Sequence, residues 1–252
     1  REYLVSGNLL VKQVEHYTNS EKRLVLAKAF VDGASSNIYR NLRYYNNRGK
    51  DVRQEIDDID FLRNQIRLKN DIQSLMGMEG NIRKIYYDTW NKIVNQDIQF
   101  EKRVKRPPDN MINTLISFLN SLIYTKTLSE IYNTQLNPTI SYLHEPGTSR
   151  FSLSLDISEV FKPLIVDRLI FTLLNKNQIN DDSFQKDTEL LQLKESAVKL
   201  IVSEFDLRLK QTIEHRDLRR SVSYSRLIRL EAYKLIKHLL DEKVYEPFKI
   251  WW

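Results

Sequence analysis

The stretch NMINTLISFLNSLIYTKTLSEIY, Asn110–Tyr132, decides the class of fold. Its apolar residues neither alternate nor keep to one stripe, so it reads as a helix buried on more than one face. Asp109, just ahead of it, is a candidate N-cap. A helix buried in this way needs apolar neighbours, and the chain supplies them on both sides. From Ser20 onward Leu24, Ala27, Val31, Ala34, Ile38, Leu42 and Tyr45 recur at three- and four-residue steps, and Gly49 suits the end of that helix. A second amphipathic stretch runs from about Val52 to Met76, and a third is NIRKIYYDTWNKIV. DISEVFKPLIVDRLIFTLLNK follows, with Pro163 expected to kink it or to mark its first turns. The polar segment NKNQINDDSFQKD reads as a spacer before two last helices, about Lys194–Ile213 and Ser221–Asp241. These patterns predict a mainly α fold, a single domain of about seven helices spanning residues 19–252. Residues 1–18 read as an extended segment around LLVKQV, the last strand and linker of something upstream. The chain opens on Arg1 rather than Met, and an upstream portion is expected.

Composition narrows the function. With 252 residues, 41% of them hydrophobic, the chain can bury a sizeable core. It has no cysteine, which excludes disulfides and thiolate metal sites and fits a reducing compartment. No apolar run is long enough for a membrane span. Lys and Arg total 39 against 33 Asp and Glu, a formal net charge of +6, which favours a polyanionic partner such as nucleic acid.

Three short motifs could carry chemistry. In GMEG, Gly77–Gly80, two glycines flank Glu79 and would let a phosphate or metal approach a carboxylate. The same letters also suit a helix C-cap beside a solvated Glu. In YLHEPG, His144 lies between an apolar pair and a turn, as a metal ligand or as a structural hydrogen-bonding residue. In DISEVFKP, Asp156 and Glu159 are three apart and share a helix face, where two carboxylates repel unless a cation lies between them. They also suit an N-cap and N3 pair that needs no metal. Oxygen ligands with one imidazole and no thiolate suit Mg²⁺ or Mn²⁺, the ions of phosphoryl-transfer chemistry.

Taken in order, GMEG, YLHEPG and SLSLDISEVFKPLIVDRLIF resemble the CRISPR-associated adaptation integrase, the core nuclease of spacer acquisition. LLVKQVEHY, FVDGASSNIYRNLRYYNNRG, RPPDNMINTLISFLNSLIY and RLEAYKLIKHLLDEKVYEPFKIWW extend the resemblance over essentially the whole chain, nearest to the type I branch. The resemblance implies an N-terminal β-rich domain ahead of an α-helical catalytic domain. It implies a metal, Mg²⁺ or Mn²⁺, held by Glu79, His144 and Glu159, with Asp156 as an accessory carboxylate. It also implies a homodimer that joins a small ferredoxin-like companion in a prokaryotic cytoplasm. The family's Gly two residues before LH is Ser141 here, and its frequent Arg before the proline is Lys162.

Two basic runs are candidate DNA surfaces: Lys102, Arg103, Lys105 and Arg106, and then Arg216, Arg219, Arg220, Arg226 and Arg229. Either could instead be a solvated face. Tyr86, Tyr87, Trp90, Trp251 and Trp252 could stack on bases or pack in the core. The expected function is a divalent-metal-dependent DNA integrase and endonuclease that inserts spacers into a CRISPR array. The alternatives are a non-catalytic helical DNA-binding scaffold and a structure-specific nuclease acting on branched DNA in repair.

Overall fold

The computed structural model describes residues 6–105, 107–187, 190–216 and 218–251. Arg106 and Trp252, both singled out above, lie outside the described residues. Ten α-helices carry the fold among the described residues: α1 Gly7–Thr18, α2 Ser20–Asn46, α3 Arg53–Asn64, α4 Ile72–Asp88, α5 Trp90–Ile93, α6 Met111–Ile131, α7 Ser152–Lys162, α8 Arg168–Asn175, α9 Glu195–Lys210 and α10 Tyr224–Leu239. Two antiparallel hairpins complete it. β1 Phe184–Asp187 pairs with β2 Leu190–Leu193, Phe184 opposite Leu193. β3 Thr212–His215 pairs with β4 Arg220–Ser223, Thr212 opposite Ser223. No described helix is long and apolar enough to cross a membrane.

The mainly α class stands, and the number of helices exceeds the seven expected. The strand expected around LLVKQV is not there, because residues 7–18 are helix α1. Its inward positions are Leu9, Gln13 and His16, at helical steps. Two of the three are polar, so hydrophobicity alone hid the stripe. Gln13 is matched to Asn137, donating to its carbonyl at 3.1 Å and accepting from its amide at 2.8 Å. The boundary expected at residue 18 therefore falls between two helices that pack together. The stretch Val52–Met76 is broken by a 3₁₀ turn at Ile66–Leu68, and α4 begins where Asp71 caps the Ser74 amide at 2.8 Å.

The most enclosed element is not α6. That helix is buried all round only over Met111–Ile116, and Asn110 rather than Asp109 caps it. The centre is the continuous rod of α7, a π-helical turn at Pro163–Asp167, and α8, which packs against both α2 and α6. Ile157, Val160, Phe161, Leu164, Ile165, Ile170 and Phe171 are fully buried along it. Pro163 lacks an N–H and opens the widened turn. Carbonyls in this stretch are taken by two buried asparagines of α2. Asn37 donates to Val160 O at 2.8 Å and Asn41 to Pro163 O at 2.6 Å. Asn37 also binds the C-terminal segment, donating to Phe248 O at 3.0 Å and accepting from Ile250 N at 2.9 Å. Gly33 lets α2 meet that segment closely, since a Cβ there would lie 2.6 Å from Pro247 Cβ.

Candidate active site

Helix α4 has two working stripes. Leu75, Met78, Ile82 and Tyr86 face the core, while Met76, Glu79, Gly80, Arg83 and Tyr87 line a cleft of about 560 Å³. Both sets recur at the steps of a helix, so one segment holds the core and presents the cleft wall. His144, Glu159 and Lys162 enter the same cleft from the loop after α6 and from α7. Lys102, Arg103 and Lys105 close it from the connection before α6. Glu79, His144 and Glu159 are therefore brought together, although they come from separate elements.

The competing readings of these motifs meet different outcomes. Gly77 and Gly80 sit inside α4, not at its C-terminus, and a Cβ at either would meet nothing within 4 Å. Asp156 and Glu159 lie inside α7, which begins at Ser152, so they are not a cap pair. Asp156 is fully buried and turned away from the cleft. Its Oδ2 accepts from the amides of Tyr142 at 2.7 Å and Leu143 at 3.0 Å, and its Oδ1 from the His144 amide at 3.0 Å. Oδ1 also lies 2.8 Å from His144 Nδ1. An ionised carboxylate only accepts, so the proton sits on Nδ1 and the Nε2 lone pair is left for the cleft. Asp156 thus sets the position, ring angle and tautomer of His144. Ser141 donates its hydroxyl to the His144 carbonyl and closes the same turn.

Around Glu79 and Glu159 the charges alternate. Arg83, one helical turn after Glu79, donates from Nε to Glu79 Oε1 at 2.6 Å and from Nη2 to Glu159 Oε2. Lys162 pairs with the other oxygen, Glu159 Oε1. Burial pulls the Lys162 ammonium down to about 7, helped by the charge of Arg83 and opposed by Glu79 and Asp167. Burial pushes the Asp167 carboxyl up to about 7, against the pull of Arg83, Tyr86 and Lys162. Burial also works against the charge of Arg83, but Glu79, Tyr87 and Asp167 together outweigh it and hold the guanidinium more firmly protonated than usual.

With Arg83 bridging the two carboxylates, no three His, Asp or Glu side chains among the described residues are gathered tightly enough to hold an ion as they stand. The donor chemistry nevertheless fits one. Two carboxylates and an imidazole nitrogen face one solvent-open cleft, and a cationic group already lies between the carboxylates.

The remaining candidates divide. Lys102 and Lys105 are exposed on the cleft rim, while Arg103 is tied to Asn113 Oδ1 at 2.9 Å and Ser117 Oγ at 2.8 Å. Arg216, Arg219 and Arg220 are exposed at the turn between β3 and β4, and Arg226 is exposed in the first turn of α10. None of these four lines the cleft. Arg229 belongs to the core's polar network, its Nε 2.6 Å from the buried Glu130. Tyr86 and Trp90 are fully buried packing residues, whereas Tyr87 reaches the cleft and Trp251 is exposed.

Similarity to known proteins gives this geometry a context. A family model described as "CRISPR associated protein Cas1" matches residues 1–207. The chain belongs to the Cas1 family. A curated relative from Fusobacterium nucleatum, named CRISPR-associated endonuclease Cas1, is 68% identical over the whole chain and over 75% of its own length. A Cas1 endonuclease from Pyrococcus horikoshii is 43% identical over the whole chain and over 76% of its own length. The solved structure of a Cas1 protein from Thermotoga maritima superposes with a TM-score of 0.88 at 41% identity, covering 98% of this chain and 76% of that one. A casposase bound to an integration product shares the fold, with a TM-score of 0.87 at 24% identity, over 97% of this chain and 72% of that one. Within this Cas1-family cleft, sequence reading missed Arg83 and singled out Tyr87 only as a base-stacking or packing aromatic. Both are written in the sequence at helical steps from Glu79, but that signal appears only once GMEG is placed in mid-helix.

Proposed function

We propose that this chain is a divalent-metal-dependent DNA integrase and endonuclease, acting in the cytoplasm of a prokaryote. It is a CRISPR spacer-integration nuclease. The observation that carries the metal reading is the Asp156–His144 pair, which aims an imidazole lone pair into the cleft that holds Glu79 and Glu159. Glu79, His144 and Glu159 would hold Mg²⁺ or Mn²⁺. A bound ion of this kind lowers the pKa of an attacking hydroxyl and offsets charge on the leaving oxygen. The reaction joins a 3′-hydroxyl of a captured duplex to a phosphodiester at the repeat. One O–P bond forms, one breaks, and the repeat strand leaves with a new 3′-hydroxyl. Lys102 and Lys105 on the rim bind phosphates and orient the duplex without reading its bases. The partners are double-stranded DNA, a second copy of the protein and the small ferredoxin-like companion.

The test is strand transfer of a labelled short duplex into a supercoiled plasmid carrying repeats, with the companion present and with Mn²⁺, Mg²⁺ or EDTA. Label should enter the plasmid only with metal, and not with His144→Ala. Metal-dependent cutting of branched DNA without joining would replace this reading with a repair nuclease. DNA bound and left unchanged under every ion would replace it with a scaffold.

A further inference from the structure

The arginine between the two carboxylates has no part in the reading above, and its geometry is specific. Arg83 comes from α4, like Glu79, yet it reaches across to Glu159 on α7. It is 15% exposed, so it is held among the cleft walls and does not wave in solvent. Two carboxylates facing each other in a partly dry cleft repel, and something positive must lie between them. A guanidinium and a divalent cation can each meet that need, but not at the same place at the same time. Arg83 engages Glu79 Oε1 and Glu159 Oε2 while Lys162 holds Glu159 Oε1, so an ion shared by these two residues has to displace a cation from Glu159.

We propose that Arg83 is a resident stand-in for the metal, exchanged for it when DNA arrives. This rests on the assignment of Glu79, His144 and Glu159 as the metal-holding set. In the metal-free protein Arg83 keeps the carboxylates close and aligned. When an ion enters, the guanidinium is released into a cleft rimmed by Lys84, Lys102 and Lys105, where its planar fork suits a phosphate. A DNA phosphate that captures Arg83 removes the competitor and so tightens metal binding. By linkage, metal tightens DNA binding by the same factor. Arg83 is thus a positioning residue that couples metal loading to the presence of substrate.

Mn²⁺ titration followed by the electron paramagnetic resonance of the free ion reads this without turnover. The wild type should bind Mn²⁺ weakly alone and at least about 5-fold more tightly with a duplex present. Arg83→Gln should bind it at least about 5-fold more tightly without DNA and gain nothing further from the duplex. Its melting temperature should fall in EDTA and recover with Mn²⁺, which also shows that the variant folds. Arg83→Lys, which keeps a cation, should stay close to the wild type. Mn²⁺ binding by Arg83→Gln that is equal or weaker, or a duplex effect that survives the substitution, would overturn the exchange. Mn²⁺ binding by the wild type that survives Glu79→Gln or His144→Ala would instead overturn the metal assignment.

Discussion

Two basic clefts among the described residues differ in how they use their charge. The first holds Arg83, Lys102 and Lys105 around Glu79, Glu159 and His144. The second, about 290 Å³, lies between the β3–β4 hairpin, α10 and the C-terminal segment, and is lined by His215, Arg216, Lys234, Lys237, Lys243 and Lys249. In the second cleft two of the cations are spent on architecture. Lys234 bonds the buried Glu231 and the Glu246 carbonyl, both at 2.7 Å, and Lys249 pairs with Asp32 at 2.5 Å. In the first, carboxylates from two different helices converge and need a cation. Positive charge marks both surfaces, and what sets the first apart is two carboxylates bridged by one arginine.

Substitutions can break this contrast. Glu79→Gln or His144→Ala should cut strand transfer at least about 100-fold, while His215→Ala in the second cleft should leave it within about 2-fold. Equal losses in both clefts would end the distinction. Asp156→Asn should cost about 10- to 100-fold in metal affinity, because an amide cannot accept from three backbone N–H groups and fix the imidazole as well. Metal titration beside a melting curve separates that loss from instability. Gly33→Ala should cost about 1–3 kcal/mol by denaturant unfolding, since its methyl would meet Pro247 beside the second cleft. For DNA, Lys102→Ala with Lys105→Ala should lower the slope of log affinity against log salt by about 2. Arg216→Ala with Arg219→Ala should lower it less, and an equal drop would merge the clefts into one DNA path.

The smallest effect concerns the histidine pair that joins α1 to α10. The rings of His16 and His238 meet edge to face at 5.5 Å. Burial, with the neighbouring His16, holds the His238 imidazole below its usual value of 6.5. A base depressed in the fold binds its proton more readily when unfolded. Stability is therefore full above about pH 6.5 and declines as pH falls from there through the lower folded value. Melting temperatures between pH 7 and 5 should show a slightly shallower decline in His238→Asn.

The helical class and the three site motifs could be read from the sequence because each is local. Leu24 to Tyr45 spell a helix by period, and Asp156 with Glu159 share a helix by spacing. What escaped was set by tertiary partners. Gln13 and His16 face inward as polar residues, so α1 looked extended. Asp156 read as an accessory carboxylate or a cap, and its acceptors are filled by amides twelve to fourteen residues earlier, a pairing that no local pattern encodes. The β3–β4 hairpin went unseen because its strands are short and each buries a single residue, Ile213 and Val222. Arg83 was invisible as a site residue until GMEG became mid-helix.

Asn37 gives the C-terminal segment a reach beyond its position. Its side chain clasps the carbonyl of Phe248 and the amide of Ile250 with the same amide group that holds Val160, the residue next to Glu159. The Phe161 and Phe248 rings stack along the same line, 5.9 Å apart. Residues 248–250 are therefore a splint set against α7. Trimming the last five residues would loosen the backbone that aims Glu159, and damage at the tail would be felt at the cleft first.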